Sequence, residues 1–243
     1  NPAMGFAFDR LVEAGGTAIF EETGELIGCE HLMAERAING AIGESLIETV
    51  EKAKRYYQLM GYSSFSAGNA EGGLTTIEEK SLGAYSKSGT SKIRGIIKPC
   101  ELPPAGGLYL LDVVPDGLPK FGWPNINDNA EIAELIACGS HMVLFSTGRG
   151  SVVGSAISPV IKVCANPDTY TSMEDDMDIN AGKILTGEAT LDAVGKEIFA
   201  RMLATAAGRR TSSESLGHQE FVLTYKYFDG REPVCLISSF PGF

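Results

Sequence analysis

The segment His141-Met142-Val143-Leu144-Phe145-Ser146-Thr147-Gly148-Arg149-Gly150-Ser151 joins a short apolar run to a turn of small and polar residues. The apolar run predicts a buried strand that leads directly into the turn. Glycine permits a sharp turn and a close approach of the backbone to a ligand, and the Arg149 guanidinium is a planar fork that fits a carboxylate or a phosphate. The segment therefore predicts either an anion-binding loop, most simply for a substrate carboxylate, or a glycine turn with a solvated or salt-bridged arginine.

Helical and extended patterns alternate around this segment. The spacing of apolar residues predicts helices over 2–14, 28–37, 44–60, 75–87, 127–138 and 191–207, and strands over 17–20, 93–97, 108–114, 141–145 and 160–163. This order is typical of an α/β fold, here a Rossmann-like layered domain whose largely parallel sheet is flanked by helices. Ligand sites in such sheets lie beyond the carboxyl ends of the strands, which is where the turn after Phe145 falls.

The composition narrows the class of protein. The chain has 243 residues, of which 44% are hydrophobic, so it can bury a substantial core. No apolar run approaches the ~20 residues needed to cross a bilayer, and the net charge of −11 disfavours nucleic acid and anionic membranes as partners. Because no export signal is visible, we expect a cytoplasmic protein. A start at Asn1-Pro2, directly into a helix, indicates a fragment of a longer protein.

Two pairs of polar residues could take part in catalysis or metal binding, whereas the cysteines could not form a recognisable site. Glu30 and His31 place a carboxylate beside an imidazole, which suits proton transfer or metal binding, although a helix amino-terminus with a hydrogen-bonded histidine also explains them. Five cysteines are scattered without a Cys-x-x-Cys pair, so neither a zinc site nor a disulfide framework is indicated. Asp178 and Asn180 alternate with apolar residues, so both side chains face one way and offer oxygen ligands to a hard divalent cation.

A polar loop over 61–73 precedes the helix predicted to start near Thr75. Asn69, Gly72 and Gly73 in this loop could fold over a small polar ligand, or the loop could be a flexible linker. Glu79 and Lys80 follow on the helix, where such a pair is either part of a site or solvated surface.

Several of these motifs occur together in one order, and together they resemble the altronate/galactarate dehydratase family. Gly72-Gly73-Leu74-Thr75-Thr76-Ile77 with Glu79-Lys80-Ser81-Leu82-Gly83 resembles the family's central signature. Glu30-His31-Leu32, Thr147-Gly148-Arg149-Gly150 and Asp178-Ile179-Asn180-Ala181-Gly182 match further motifs. The similarity extends from Asn1 to about Gly208.

The resemblance implies that residues 1–243 are the carboxy-terminal catalytic domain of a larger dehydratase or lyase, with 209–243 as an extended tail. Members catalyse β-elimination from hydroxy acids, the sugar-acid members with a divalent metal, usually iron. The large subunit of sulfolactate sulfo-lyase, which expels bisulfite, also belongs to the family. Residues 216–221 resemble that branch more closely. A missing amino-terminal part or small subunit and a homo-oligomer are the expected partners, with a small hydroxy acid as substrate.

The resemblance also implies roles for individual residues. Arg149 and the Thr147, Gly148, Gly150 and Ser151 backbone would bind the substrate carboxylate, and His31 with Glu30 would carry the proton or bind metal. Asn69 and Lys80, beside Gly72 and Gly73, would contact substrate hydroxyl or sulfonate oxygens. Glu79, Asp178 and Asn180 would orient these groups or bind the metal. The rival reading is a non-catalytic domain that binds a ligand or serves as an assembly scaffold.

Overall fold

The computed structural model describes residues 1–59, 67–114, 116 and 128–222. The helices in these ranges are α1 (Pro2–Glu13), α2 (Glu30–Glu35), α3 (Gly40–Leu59), α4 (Ala67–Glu71), α5 (Ile77–Lys87), α6 (Asp128–Ala137), α7 (Pro167–Ser172), α8 (Leu191–Ala206) and α9 (Ser212–Leu216). The strands are β1 (Thr17–Phe20), β2 (Ile93–Ile97), β3 (Gly107–Leu111), β4 (Val143–Thr147), β5 (Val160–Cys164) and β6 (Ile179–Asn180). Within this part of the chain no helix is both long and apolar enough to cross a membrane.

The α/β fold is confirmed, but the strands form two sheets where the sequence predicts one. Each sheet has three parallel strands, in the orders β1-β3-β2 and β4-β5-β6. The edge strands β1 and β4 face each other without forming a ladder. Their amino-terminal halves line one cavity of about 570 Å³, and the carboxyl end of β1 meets β4 at a second cavity of about 250 Å³. The seam between the sheets therefore runs along β1 and β4.

Helix α1 holds the two sheets together because it packs into both cores. Met4 and Ala7 are buried with Ile161 of β5 and Val194 of α8 in the core of the second sheet, whereas Phe8 packs against the core of the first. α1 also lies close against α8, where a Cβ at Gly195 would come within 2.6 Å of the Phe6 ring. A helix that serves two cores needs apolar residues on more than one side, which blurs its sequence pattern.

Several short elements differ from the sequence predictions. α4 lies inside the predicted 61–73 loop, and α7, α9 and β6 have no counterpart among the predicted elements. α5 begins at Ile77, two residues after the start of the predicted range, because Thr76 is its amino-terminal cap and accepts the hydrogen bond from the Glu79 N–H. The strand predicted to begin at His141 begins at Val143, and His141 itself is exposed.

The predicted tail begins as an ordered cover on the second sheet. α9 carries a complete capping box between Thr211 and Glu214, and the Ser213 hydroxyl donates to the Val160 carbonyl at 3.1 Å. Thr211 and Ser213 are both buried. Residues 223–243 of the predicted tail lie outside the described residues.

Candidate active site

The strongest candidate site lies where the carboxyl end of β1 meets β4. In open α/β sheets, ligands bind beyond the carboxyl ends of strands at the point where the strand order changes direction. The seam between β1 and β4 is the corresponding place here, although these edge strands belong to two sheets, in which β3 and β2 follow β1 and β5 and β6 follow β4. The cavity of about 250 Å³ at this seam is lined by Met4, Glu21, Glu22, Glu25, Lys87, Asp128, Glu131, Ile132, Leu135, Val143, Leu144, Phe145 and Ser146.

Five acidic residues and one lysine, Lys87, line this cavity. We use the name carboxyl cluster for Glu21, Glu22, Glu25, Asp128 and Glu131. Two lysines of α5 pair with it, Lys87 with Glu22 and Lys80 with Glu25. They are seven residues apart, or about two helical turns, so one face of α5 presents both ammonium groups. Hydrogen bonds also join Glu22 to Glu25 and Glu21 to Glu131.

Burial and crowding of like charges keep several of these carboxyls protonated. Burial, with the nearby Glu22 charge, raises the pKa of Glu25 to about 8. Burial, with the charges of Glu22 and Asp128, raises the pKa of Glu131 to about 8. The pKa of Glu21 is raised well above its usual value, again mainly by burial. Glu25 and Glu131 therefore carry protons at neutral pH, because like charges in a confined space cannot all ionise.

Glu22 behaves in the opposite way. Burial alone would raise its pKa, but the Lys87 ammonium and the hydrogen bond from Glu25 leave it below the ordinary value. The same pairing raises the pKa of Lys87 despite burial. One wall thus combines an ionised carboxylate with neutral carboxyl groups. Neutral carboxyls near the operating pH can give a proton to a departing group and take one back.

The structure brings some of the sequence-predicted residues to the carboxyl edges of the sheets. Lys80 is joined to the cavity through Glu25. On the second sheet, Thr147, Cys164 and Asn180 stand in register at the ends of the three strands. The Thr147 hydroxyl accepts from the Gly150 N–H at 3.0 Å, which closes the predicted loop into a turn. The Asn180 Oδ1 atom is buried and has no hydrogen-bond partner among the described residues.

His31 and Arg149 are exposed. Neither side chain makes a hydrogen bond or ion pair with any residue that the structure describes, and neither lines the cavity at the seam. Glu30 accepts a hydrogen bond from the Gly28 N–H at 2.6 Å, so it fixes the turn that leads into α2. The roles predicted for these residues therefore remain predictions.

Other predicted residues have clear local contacts. The Asn69 carbonyl accepts from the Leu74 N–H at 3.0 Å, and Gly73 has a φ of 96° in the turn that follows Gly72. The Glu79 carboxylate accepts from the Thr75 N–H at 2.7 Å and from its hydroxyl at 2.8 Å. These contacts build the start of α5, which places Lys80 at the cluster.

Asp178 joins three parts of the second sheet. Its carboxylate pairs with Arg201 of α8 at 2.6 Å and accepts from the Ser212 N–H at 3.0 Å and the Lys162 N–H at 2.8 Å. Its side chain is fully buried and both oxygens are engaged. This geometry gives Asp178 a structural role in holding α8 and α9 against β5.

Sequence reasoning missed Glu21, Glu22, Glu25, Lys87 and Glu131. One signal was available, because Glu21 and Glu22 directly follow the predicted strand 17–20, at the end where α/β sheets place their sites. Adjacent glutamates are common on surfaces, however, and only the fold shows that α5 and α6 bring Lys87 and Glu131 to them.

The predicted metal has no ligand set in the described ranges. No three His, Cys, Asp or Glu side chains there come together in a group that could hold a metal ion. The glutamates of the carboxyl cluster are instead hydrogen-bonded to each other and paired with lysines. We therefore assign no metal ligand among the described residues, and the iron ion remains a prediction.

Comparison with known proteins supplies a family. Residues 1–228 match the family model described as D-galactarate/altronate dehydratase, C-terminal. The chain is 38% identical over 234 residues to (2R)-sulfolactate sulfo-lyase subunit beta of Chromohalobacter salexigens, covering 93% of this chain and 57% of that protein. It is 36% identical over 222 residues to galactarate dehydratase (L-threo-forming) of Escherichia coli, covering 89% of this chain and 40% of that protein.

A third relative gives a similar picture. The chain is 30% identical over 226 residues to altronate dehydratase of Bacillus subtilis, covering 92% of this chain and 43% of that protein. The chain thus spans about half the length of the curated relatives it matches.

Proposed function

This chain belongs to the D-galactarate/altronate dehydratase family, whose C-terminal model it matches, and we propose that it supplies part of the active site of a lyase acting on a hydroxy acid. The reaction is a β-elimination, in which a proton leaves the carbon next to the carboxylate and a group leaves the following carbon. The observation that carries the proposal is the carboxyl cluster with its two lysines, in a cavity where the sheet order changes direction.

Water loss makes a specific demand that the cluster meets. A departing hydroxyl must be protonated as its bond to carbon breaks, so a group that still holds a proton at neutral pH must stand beside it. Glu25 has that property, and Lys80 orients its carboxyl through their contact. We assign Glu25 the role of general acid. Glu22 and Lys87 then remain a charged pair that positions the substrate.

The substrate that suits this wall is a polyhydroxylated acid of the altronate or galactarate type, converted to a 2-keto-3-deoxy acid. Neutral carboxyls donate hydrogen bonds to hydroxyl oxygens and Glu22 accepts them from hydroxyl groups, so the carboxyl cluster can bind several substrate hydroxyls at once. Arg149 and the Thr147–Ser151 backbone are proposed to bind the substrate carboxylate from the second sheet. A divalent metal and a further protein part, either an amino-terminal segment or a small subunit, also belong to the proposal.

A second candidate is release of bisulfite from sulfolactate. The observation that favours it is the 38% identity to the sulfo-lyase subunit beta, of which the chain covers 57%. Bisulfite is a better leaving group than hydroxide and needs less acid assistance. The two candidates therefore differ in how strongly the reaction depends on a proton at Glu25.

The test is turnover by the full-length protein with D-altronate, D-galactarate and (2R)-sulfolactate, followed as 2-keto acid and as sulfite. Glu25→Gln should lower kcat for dehydration by about 10²-fold or more, because the amide has no proton to give. Glu13→Gln is the matched control, since Glu13 is exposed and pairs only with Arg10 among the described residues. Sulfite release unaffected by Glu25→Gln would favour the second candidate. Binding without turnover of all three acids would favour a non-catalytic domain.

A further inference from the structure

A second charged group lies on the carboxyl edge of the first sheet, the edge that also carries Glu22. Lys98 directly follows β2, Asp112 directly follows β3, and Lys52 reaches them from α3. The Asp112 Oδ2 atom accepts from Lys52 Nζ at 2.5 Å and from Lys98 Nζ at 2.7 Å. Asp112 is almost fully buried, so it holds the two ammonium groups from the side of the protein interior.

The two lysines also share a carboxylate from the solvent side. The Asp116 Oδ1 atom lies 2.9 Å from Lys52 Nζ and 2.9 Å from Lys98 Nζ. Asp116 differs from Asp112 in its surroundings, since 78% of its side chain is exposed against 2% for Asp112. Hydrogen bonds from both lysines lower the pKa of Asp116 to about 2, so its carboxylate stays ionised.

The two ammonium groups of Lys52 and Lys98 thus bind one exposed carboxylate, that of Asp116, between them. Asp112 neutralises one of the two positive charges, and the other faces the solvent side where Asp116 sits. Asp116 is exposed, and ion pairs at exposed positions contribute little free energy, so a carboxylate from a ligand can displace it. The buried Asp112 keeps the lysines oriented whichever carboxylate is bound.

We propose that Lys52 and Lys98 form a carboxylate-binding fork and that Asp116 is its displaceable occupant. Glu22 and Asp112 follow the neighbouring strands β1 and β3, and the Thr23 hydroxyl donates to the Leu111 carbonyl at 3.0 Å, so the fork and the carboxyl cluster share one edge of the sheet. The ligand is a small carboxylic acid. Its assignment as the hydroxy acid, or as the second carboxylate of a diacid, rests on the proposed function.

Calorimetric binding to the full-length protein at low ionic strength tests the fork, with D-galactarate as the probe and galactitol as its uncharged counterpart. Asp116→Ala should bind D-galactarate about threefold to tenfold more tightly than the wild type, because the internal competitor is gone. Adding Lys98→Gln to this variant should remove the gain. Galactitol binding should not change.

The matched control is Asp192→Ala, which also removes an exposed carboxylate paired with a lysine, Lys196 at 2.6 Å. It makes the same change in net charge and should leave D-galactarate binding as in the wild type. The proposal is overturned if Asp116→Ala binds no more tightly than Asp192→Ala, if the gain persists without Lys98, or if no variant binds D-galactarate. Tighter binding by Asp116→Ala without turnover would support the fork and refute the lyase activity. Turnover without tighter binding by Asp116→Ala would support the lyase activity and refute the fork.

Discussion

Replacing Glu25 with glutamine should flatten the pH dependence of the free energy of unfolding. In the folded protein Glu25 keeps its proton up to about pH 8, whereas its unperturbed pKa is 4.5. Between about pH 5 and pH 8 the folded state therefore binds a proton that the unfolded state has lost. Because the folded state holds this proton, the free energy of unfolding of the wild type falls as pH rises from about 5 to about 8.

The magnitude follows from one proton. Each proton held only by the folded state changes the free energy of unfolding by about 1.4 kcal/mol per pH unit. Over two pH units that is about 3 kcal/mol, which we reduce to about 2 kcal/mol because 26% of the Glu25 side chain is exposed to screening by solvent. Glutamine cannot titrate, so the variant should lose this part of the slope.

The assay is urea unfolding followed by circular dichroism at several pH values between about pH 5.5 and pH 7.5. The slope, and not the absolute stability, is the readout, because the loss of the contact with Lys80 adds an offset. Glu13→Gln, at an exposed position, should show the wild-type slope. If Glu25→Gln also shows the wild-type slope, Glu25 is ionised in the folded protein and cannot be the general acid.

Three further variants test the fold and the predicted anion loop. Gly5→Ala should destabilise the protein by about 2 kcal/mol in urea unfolding, because its Cβ would lie 2.4 Å from a backbone carbonyl oxygen of α5, whereas Gly40→Ala, with no atom within 4 Å, should not. Asp178→Asn should cost about 3 kcal/mol by the same assay, because it leaves the Arg201 guanidinium without its carboxylate in a largely buried position. Arg149→Ala should change stability by less than about 0.5 kcal/mol but lower kcat/KM about 10²-fold, and unchanged kcat/KM would remove its proposed role.

The longer elements could be predicted from the sequence because local patterns determine them. α8 begins at Leu191 as expected, where the Thr190 hydroxyl caps it, and β2 has the bounds predicted for it. Short elements such as α7 and α9 span too few residues for a period to show. Their caps, Asn166 and Thr211, can be read from the sequence, but the packing of the Ser213 hydroxyl of α9 against β5 cannot.

The division into two sheets and most of the candidate site depend on distant contacts. The two cores are joined by α1, whose Met4 packs in the second and whose Phe8 packs against the first, and neither contact can be read from the strands themselves. The sequence singles out Lys80 and Asn180, and the structure places Asn180 at the end of β6 and pairs Lys80 with Glu25. The carboxyl cluster was missed because a glutamate becomes unusual only when folding buries it beside others.

A crystal structure of the full-length protein with D-galactarate bound would test the central claim most directly. Our account places the acid in the cavity between β1 and β4, within hydrogen-bond distance of Glu25 and Glu22. Electron density for the acid in the apolar cavity at the other end of the same two strands, with the carboxyl cluster empty, would contradict it.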